Sequence, residues 1–151
     1  MFRSLPKAGA ALIATICLSG TLAAEDRLAE DQSPSGKFLT ATEVKPILTA
    51  TKANWIAVRE WQGQDLIYFT HLLSWRCGLY EIRYSVNGGP QQLWPIPECD
   101  PVTHSVGLIP EGTEIYTTLP LQSVASVEIE VLYDDLTTDV SAYERAAVLM
   151  P

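Results

Sequence analysis

Cys77 and Cys99 stand eleven residues on either side of Gly88. Gly88 lies in Asn87-Gly88-Gly89-Pro90, residues that supply the positive backbone angles of a tight hairpin turn. Zipping the flanks about that turn sets the two cysteines opposite each other. The stretch from Trp75 to Asp100 therefore reads as a β-hairpin stapled at its foot by a Cys77–Cys99 disulfide. On its first arm Tyr80, Ile82, Tyr84 and Val86 alternate with Glu81, Arg83 and Ser85, the period-two pattern of a strand with one wet face. The second arm, 91–96, runs into Pro95 and Pro97. Proline cannot donate to a ladder, so this arm is expected at a sheet edge.

A bridge of this kind needs an oxidising compartment, and the N-terminus points to one. Arg3 and Lys7 are followed by no charge until Glu25, across an apolar run that ends in the small residues around Ala23. That is the pattern of a secretory signal peptide. The run is diluted by glycine, serine and threonine, and a bilayer span wants about 20 strongly apolar residues. The expectation is a signal over 1–23, a flexible polar leader over 24–38 and one β-rich domain over 39–151. No stable membrane span remains after cleavage, and the location is periplasmic or secreted. Cys17 leaves with the signal, so two cysteines remain and one intramolecular pairing is possible. In the loop-entropy model a bridge closing 23 residues adds about 3 kcal/mol, a large share of a small domain's stability.

Eighteen acids against ten lysines and arginines give a net charge of −8, and losing Arg3 and Lys7 makes the balance more negative. Such a chain repels phosphate backbones, which argues against nucleic acid as a partner.

Along the domain, Val44, Ile47, Leu48 and Thr51 share one face at helical spacing. A short helix is expected from about Glu43 to Lys52, with Thr40 and Glu43 matching a capping box. Strands are then expected over Trp55–Trp61, Asp65–Leu73, the two hairpin arms, Thr113–Leu119, Ser126–Tyr133 and Ser141–Met150. Within the loop between the fourth and fifth, Val106, Leu108 and Ile109 are expected to reach the core. Seven short strands with turns between them read as an antiparallel β-sandwich or small barrel with one N-terminal helix. A helix packed on a single antiparallel sheet, an α+β fold, is the competing architecture. The pattern resembles small exported single-disulfide proteins of Gram-negative bacteria and carries no family signature.

The sequence has no G-x-S-x-G, H-E-x-x-H, C-x-x-C or phosphate-loop motif, so no catalytic site and no cofactor is assigned. His71 and His104 are too few, and without ligand spacing, for a metal site. Asp134, Asp135 and Asp139 cluster in a turn but lack the glycine and terminal glutamate of a calcium loop. Glu128 and Glu130 share a strand face, the ordinary pattern of a solvated sheet.

Four tryptophans fall within forty residues. Exposed tryptophan and arginine mark contact surfaces. The candidate surface is Trp55, Arg59, Trp61, Trp75, Arg76 and Trp94, for an unidentified protein, peptide or glycan partner. The functional expectation is a non-enzymatic binding or interaction module. The alternatives are a small periplasmic hydrolase using His71 or His104 with carboxylates, and an accessory subunit of, or inhibitor within, an envelope assembly.

Overall fold

A computed structural model describes residues 27–151; the expected signal peptide and Cys17 lie outside that range. The fold is mainly β, with seven strands in two antiparallel sheets packed as a sandwich and a short helix at the start. Strands β1 (Ala57–Trp61), β2 (Gln64–Tyr68) and β5 (Tyr116–Pro120) form one sheet in the order β1-β2-β5. Strands β3 (Leu79–Val86), β4 (Gln92–Trp94), β6 (Ser126–Tyr133) and β7 (Thr138–Glu144) form the other, in the order β4-β3-β6-β7.

The stapled hairpin forms as its spacing dictates. Its ladder pairs Ile82 with Trp94 and Tyr84 with Gln92. Each pair is equidistant from Gly88, the same register that sets Cys77 opposite Cys99. The cysteines are bridged with their Cα atoms 5.2 Å apart. Asn87 and Gly88 take positive φ angles of 55° and 70° at the turn. β4 is a three-residue edge strand that ends at Pro95.

The core follows from the period of two. Ile82, Tyr84 and Val86 face Val131, Ile129 and Val127 across the β3–β6 ladder, and all but the half-buried Val86 are buried. Val58 and Ile67 supply the opposing face from β1 and β2. Trp94 stacks on Phe69 with ring centroids 4.1 Å apart, and Tyr84 meets Phe69 edge-on.

Helix α1 (Ala41–Ala50) covers the core with Ala41, Val44 and Leu48, starting two residues before its expected position. Thr40 occupies the cap position, but its hydroxyl makes no capping bond. The helix start is satisfied from elsewhere: the Ala41 N–H donates to Asp134 Oδ1 and the Thr42 N–H to Gln32 Oε1. Glu43 turns outward and accepts from the backbone of Ser35, Gly36 and Leu39. The polar segment 27–38 thus lies against the domain without regular structure. Tyr80 also holds it by donating to the Leu28 carbonyl.

Gly78 lets α1 approach closely. A Cβ there would lie 3.0 Å from the Thr40 carbonyl carbon and 3.0 Å from Val44 Cβ. Backbone cannot yield as a side-chain tip can. Gly78→Ala is expected to cost about 1–3 kcal/mol in urea denaturation, as overpacking does. A variant as stable as the parent would show that the helix is not pressed there.

Four expected strands differ, the fifth by beginning at Tyr116 rather than Thr113 and ending at Pro120. The second ends at Tyr68 and gives way to helix α2 (Thr70–Ser74). Phe69, Leu72 and Leu73 are buried at helical spacing, so a run apolar on both faces is here a strand followed by a turn of helix. The last strand ends at Glu144 and passes into helix α3 (Arg145–Val148), which returns Val148 to the core. The first begins at Ala57, after a 3-10 turn (Lys52–Asn54) that seats Trp55 beneath α1. In the long loop before β5, Val106 and Leu108 are exposed and Ile109 packs on the core.

Candidate functional site

The six residues expected to share a contact surface are dispersed. Trp55 is fully buried and donates its indole N–H to the Leu48 carbonyl, 2.9 Å away. Trp94 is buried against Phe69. Trp75 is half-buried and meets Phe38 edge-on. Arg76 is 4% exposed and donates to the carbonyls of Leu73 and Leu108. These four hold the core and the long loop. Trp55 falls outside the β1 ladder, so it does not share a sheet face with Arg59 and Trp61 as its parity suggested. Arg59 and Trp61 remain together. The guanidinium lies over the indole ring, 4.3 Å from its centroid, and Trp61 is 49% exposed.

Register carries that pair into a larger surface. On the outer face of the three-stranded sheet, Ala57 stands opposite Tyr68 and Tyr68 opposite Tyr116. The two tyrosine rings lie 5.3 Å apart. One step along, Arg59 stands opposite Leu66, which is 4% exposed. A further step brings Trp61 opposite Gln64, and Gln64 opposite Pro120. The face therefore presents two aromatic groups about 13 Å apart, at roughly 3.3 Å per strand residue. Trp61 and Tyr116 are exposed on this face, while Arg59 and Tyr68 are half-buried and Leu66 is buried.

At the tyrosine end the face descends into a groove of about 520 Å³ lined by Ile56, Ala57, Arg59, Tyr68, His71 and Met150 among others. That is a volume suited to a small organic ligand. Its floor is built by three local choices. The 3-10 turn after α1 brings Ile56 up to β1. Helix α2 then projects His71 from the end of β2. The Met150 N–H donates to the Val58 carbonyl, which holds the C-terminal segment along the β1 edge.

His71 has a defined proton arrangement. Thr51 Oγ1 donates to the Ile47 carbonyl at 2.8 Å, so it accepts from His71 Nε2, also 2.8 Å away. The proton of the neutral ring is therefore on Nε2, and Nδ1 carries a lone pair. Burial lowers the His71 pKa from its usual value, which favours the neutral ring at physiological pH. The Ser74 hydroxyl also lines the groove but donates to the Thr70 carbonyl.

His104 lies in different surroundings, with one ring nitrogen within 4.8 Å of both bridged sulfurs. A metal ion takes thiolate, and bridged sulfurs supply none. Burial and the nearby Arg76 cation both lower the His104 pKa. The aspartate cluster is likewise committed to protein groups. Asp134 accepts from the α1 backbone, Asp135 pairs with Lys45 and Asp139 with Lys52.

Sequence reasoning did not single out Tyr68 and Tyr116, and it named His71 only as a metal or hydrolase candidate. Tyr68 was recoverable, because the Gln62-Gly63 turn fixes Ala57 opposite it. Tyr116 was not: β2–β5 pairing joins residues about fifty apart, and no local signal sets that register. No family model matches the chain, and neither a curated protein nor a solved structure matches it.

Proposed function

We propose that the protein is an exported, non-enzymatic binding module that takes its ligand on the outer face of the β1-β2-β5 sheet. The observation that carries this reading is the row of Trp61, Arg59, Tyr68 and Tyr116, exposed at its two ends and half-buried between them, leading into the His71 groove. Aromatic and arginine side chains dominate contact energetics where they occur, and a sheet face left open beside a concavity is a natural platform. The disulfide, together with no helix long and apolar enough to cross a membrane among the described residues, fits a secreted protein. Periplasmic or extracellular residence is part of the proposal.

The hydrolase alternative has less support. Among the described residues no carboxylate lines the His71 groove, and the serine there is engaged with backbone. General base chemistry needs a partner within hydrogen-bond reach.

Trp61 is the natural reporter. Of the four tryptophans it is the exposed one; Trp75 is half-buried, and Trp55 and Trp94 are buried. Acrylamide is expected to quench a minor fraction of the emission, and Trp61→Phe to remove most of that fraction. Titration with panels of soluble peptides and glycans should then perturb the Trp61 signal in the parent and leave Trp61→Phe silent. Quenching that survives Trp61→Phe, or a signal no panel member alters, counts against this face as the site.

A further inference from the structure

Resting on that reading of the sheet face, we infer that the His71 groove binds a small amphiphilic carboxylate, with its anionic head on Arg59 and its apolar body along Tyr68, Ile56 and Met150.

Charge distribution is the ground for this. The chain carries eighteen acids, and three further concavities on its surface are all lined by them. The one beside the disulfide has Glu30, Asp31, Glu98 and Asp134. The one under the β4 exit has Glu111 and Glu114, and the one at the β6–β7 end has Glu128 and Glu144. Among the described residues the His71 groove has no acid in its lining, and its permanently charged residue is Arg59. An anion is repelled from the first three and admitted to the fourth.

Arg59 is also uncommitted among the described residues. Arg27 and Arg83 pair with Glu81, Lys45 with Asp135, Lys52 with Asp139, and Arg145 with Glu60 and Asp65. Arg76 is buried on backbone carbonyls. Glu60, next to Arg59 in sequence, points to the opposite face and is taken by Arg145. The Arg59 guanidinium lies over the Trp61 ring and has no hydrogen-bond or ion-pair partner among the described residues, so its N–H groups can offer the forked bond that a carboxylate accepts. Pre-orientation of this kind lowers the entropic cost of binding. The groove holds a drug-sized molecule rather than a bare ion, and its walls beyond Arg59 are largely apolar. Together these features select an anionic head joined to a hydrocarbon or ring body.

The probes are octanoate, octanamide and octylammonium, which share a chain and differ in head group. Calorimetry on the full exported domain should find octanoate bound with a dissociation constant near or below about 1 mM. Octanamide should bind at least about tenfold more weakly, and octylammonium more weakly still. Arg59→Gln should bring octanoate down to the octanamide level without altering octanamide binding. Arg59→Lys should restore part of the difference, since charge returns without the fork. Equal affinity for octanoate and octanamide, an Arg59→Gln variant that keeps the preference, or no octanoate binding at about ten times that concentration would each overturn the inference. If the inference fails while a peptide or glycan still perturbs Trp61, the sheet face survives as a site for another ligand. If Trp61 responds to nothing and octanoate does not bind, both readings fall together.

Discussion

Arg145→Ala is expected to be the most damaging single substitution in the domain, costing about 3–5 kcal/mol, the usual result of leaving one member of a buried ion pair alone. Asp65 is fully buried on the inner face of β2. Its two oxygens accept from the two terminal nitrogens of Arg145, at 2.6 and 2.9 Å, and one also accepts from the Val124 N–H. Arg145 spends its remaining capacity on the Val124 carbonyl and on Glu60. The pair joins the three-stranded sheet to the helix that follows β7, and so clasps one side of the sandwich to the other. Removing the arginine strands a carboxylate in the core. Asp65→Ala leaves a partly exposed arginine that still has Glu60, and should cost less. The double variant should be more stable than the sum of the single losses predicts. Urea denaturation of the three variants measures this, and additive losses would show that the pair is not coupled.

The same clasp sets part of the acid sensitivity. The Arg145 hydrogen bond, acting against burial, pulls the Asp65 pKa down to about 2, below its unfolded value near 3.9. A depressed folded pKa contributes stability above the unfolded value, and that stability is lost as pH falls through the folded one. The contribution is about 2–3 kcal/mol at neutral pH, lost between roughly pH 5 and pH 1. Asp134 works in the opposite sense, because burial raises its pKa and protonation there costs the fold less. Arg145→Ala should therefore flatten the acid limb of stability as well as lower its plateau. An acid limb of unchanged depth in that variant would remove Asp65 as its source.

The second large effect is expected from the bridge. Replacing Cys77 and Cys99 together by serine should cost about 3 kcal/mol, within a range of roughly 2–5. The staple does more than shorten the unfolded chain. β4 contributes three residues, and the 21 positions from Pro95 to Ile115 form no strand or helix. Cys99 and the Arg76 bond to the Leu108 carbonyl fasten that span to the body of the fold. Trp94 lies at the junction, stacked on Phe69. Loss of the bridge should loosen β4 before the sandwich opens, moving part of the tryptophan emission to longer wavelength at denaturant concentrations where far-ultraviolet dichroism is still native. Coincident transitions would mean that β4 is held without its staple.

The elements written in local alternation were legible in advance. Val127, Ile129, Val131 and Tyr133 announced β6 and its buried face. The symmetry of Cys77 and Cys99 about Gly88 gave the hairpin register, and Pro95 gave the end of its edge strand. The seven-strand architecture followed from such pieces. Features set by distant partners were not legible. Asp65 and Arg145 are eighty residues apart, and each reads locally as a surface charge. The α1 cap came from Gln32 and Asp134 rather than from Thr40, because a side chain brought in by the fold can satisfy an orphan N–H as well as a neighbour can. The candidate site was half visible for the same reason. Arg59 and Trp61 share one strand and lie together, while Trp55 and Trp94 are covered by other layers, which local sequence does not signal.

The eighty-residue span between Asp65 and Arg145 also orders events in time. An emerging chain that has delivered β1, β2 and all later strands, but not yet Arg145, carries an uncompensated anion on the face its first sheet must bury. Docking of the two sheets is then opposed until the helix after β7 arrives. The clasp thus ties closure of the core to the arrival of the helix after β7.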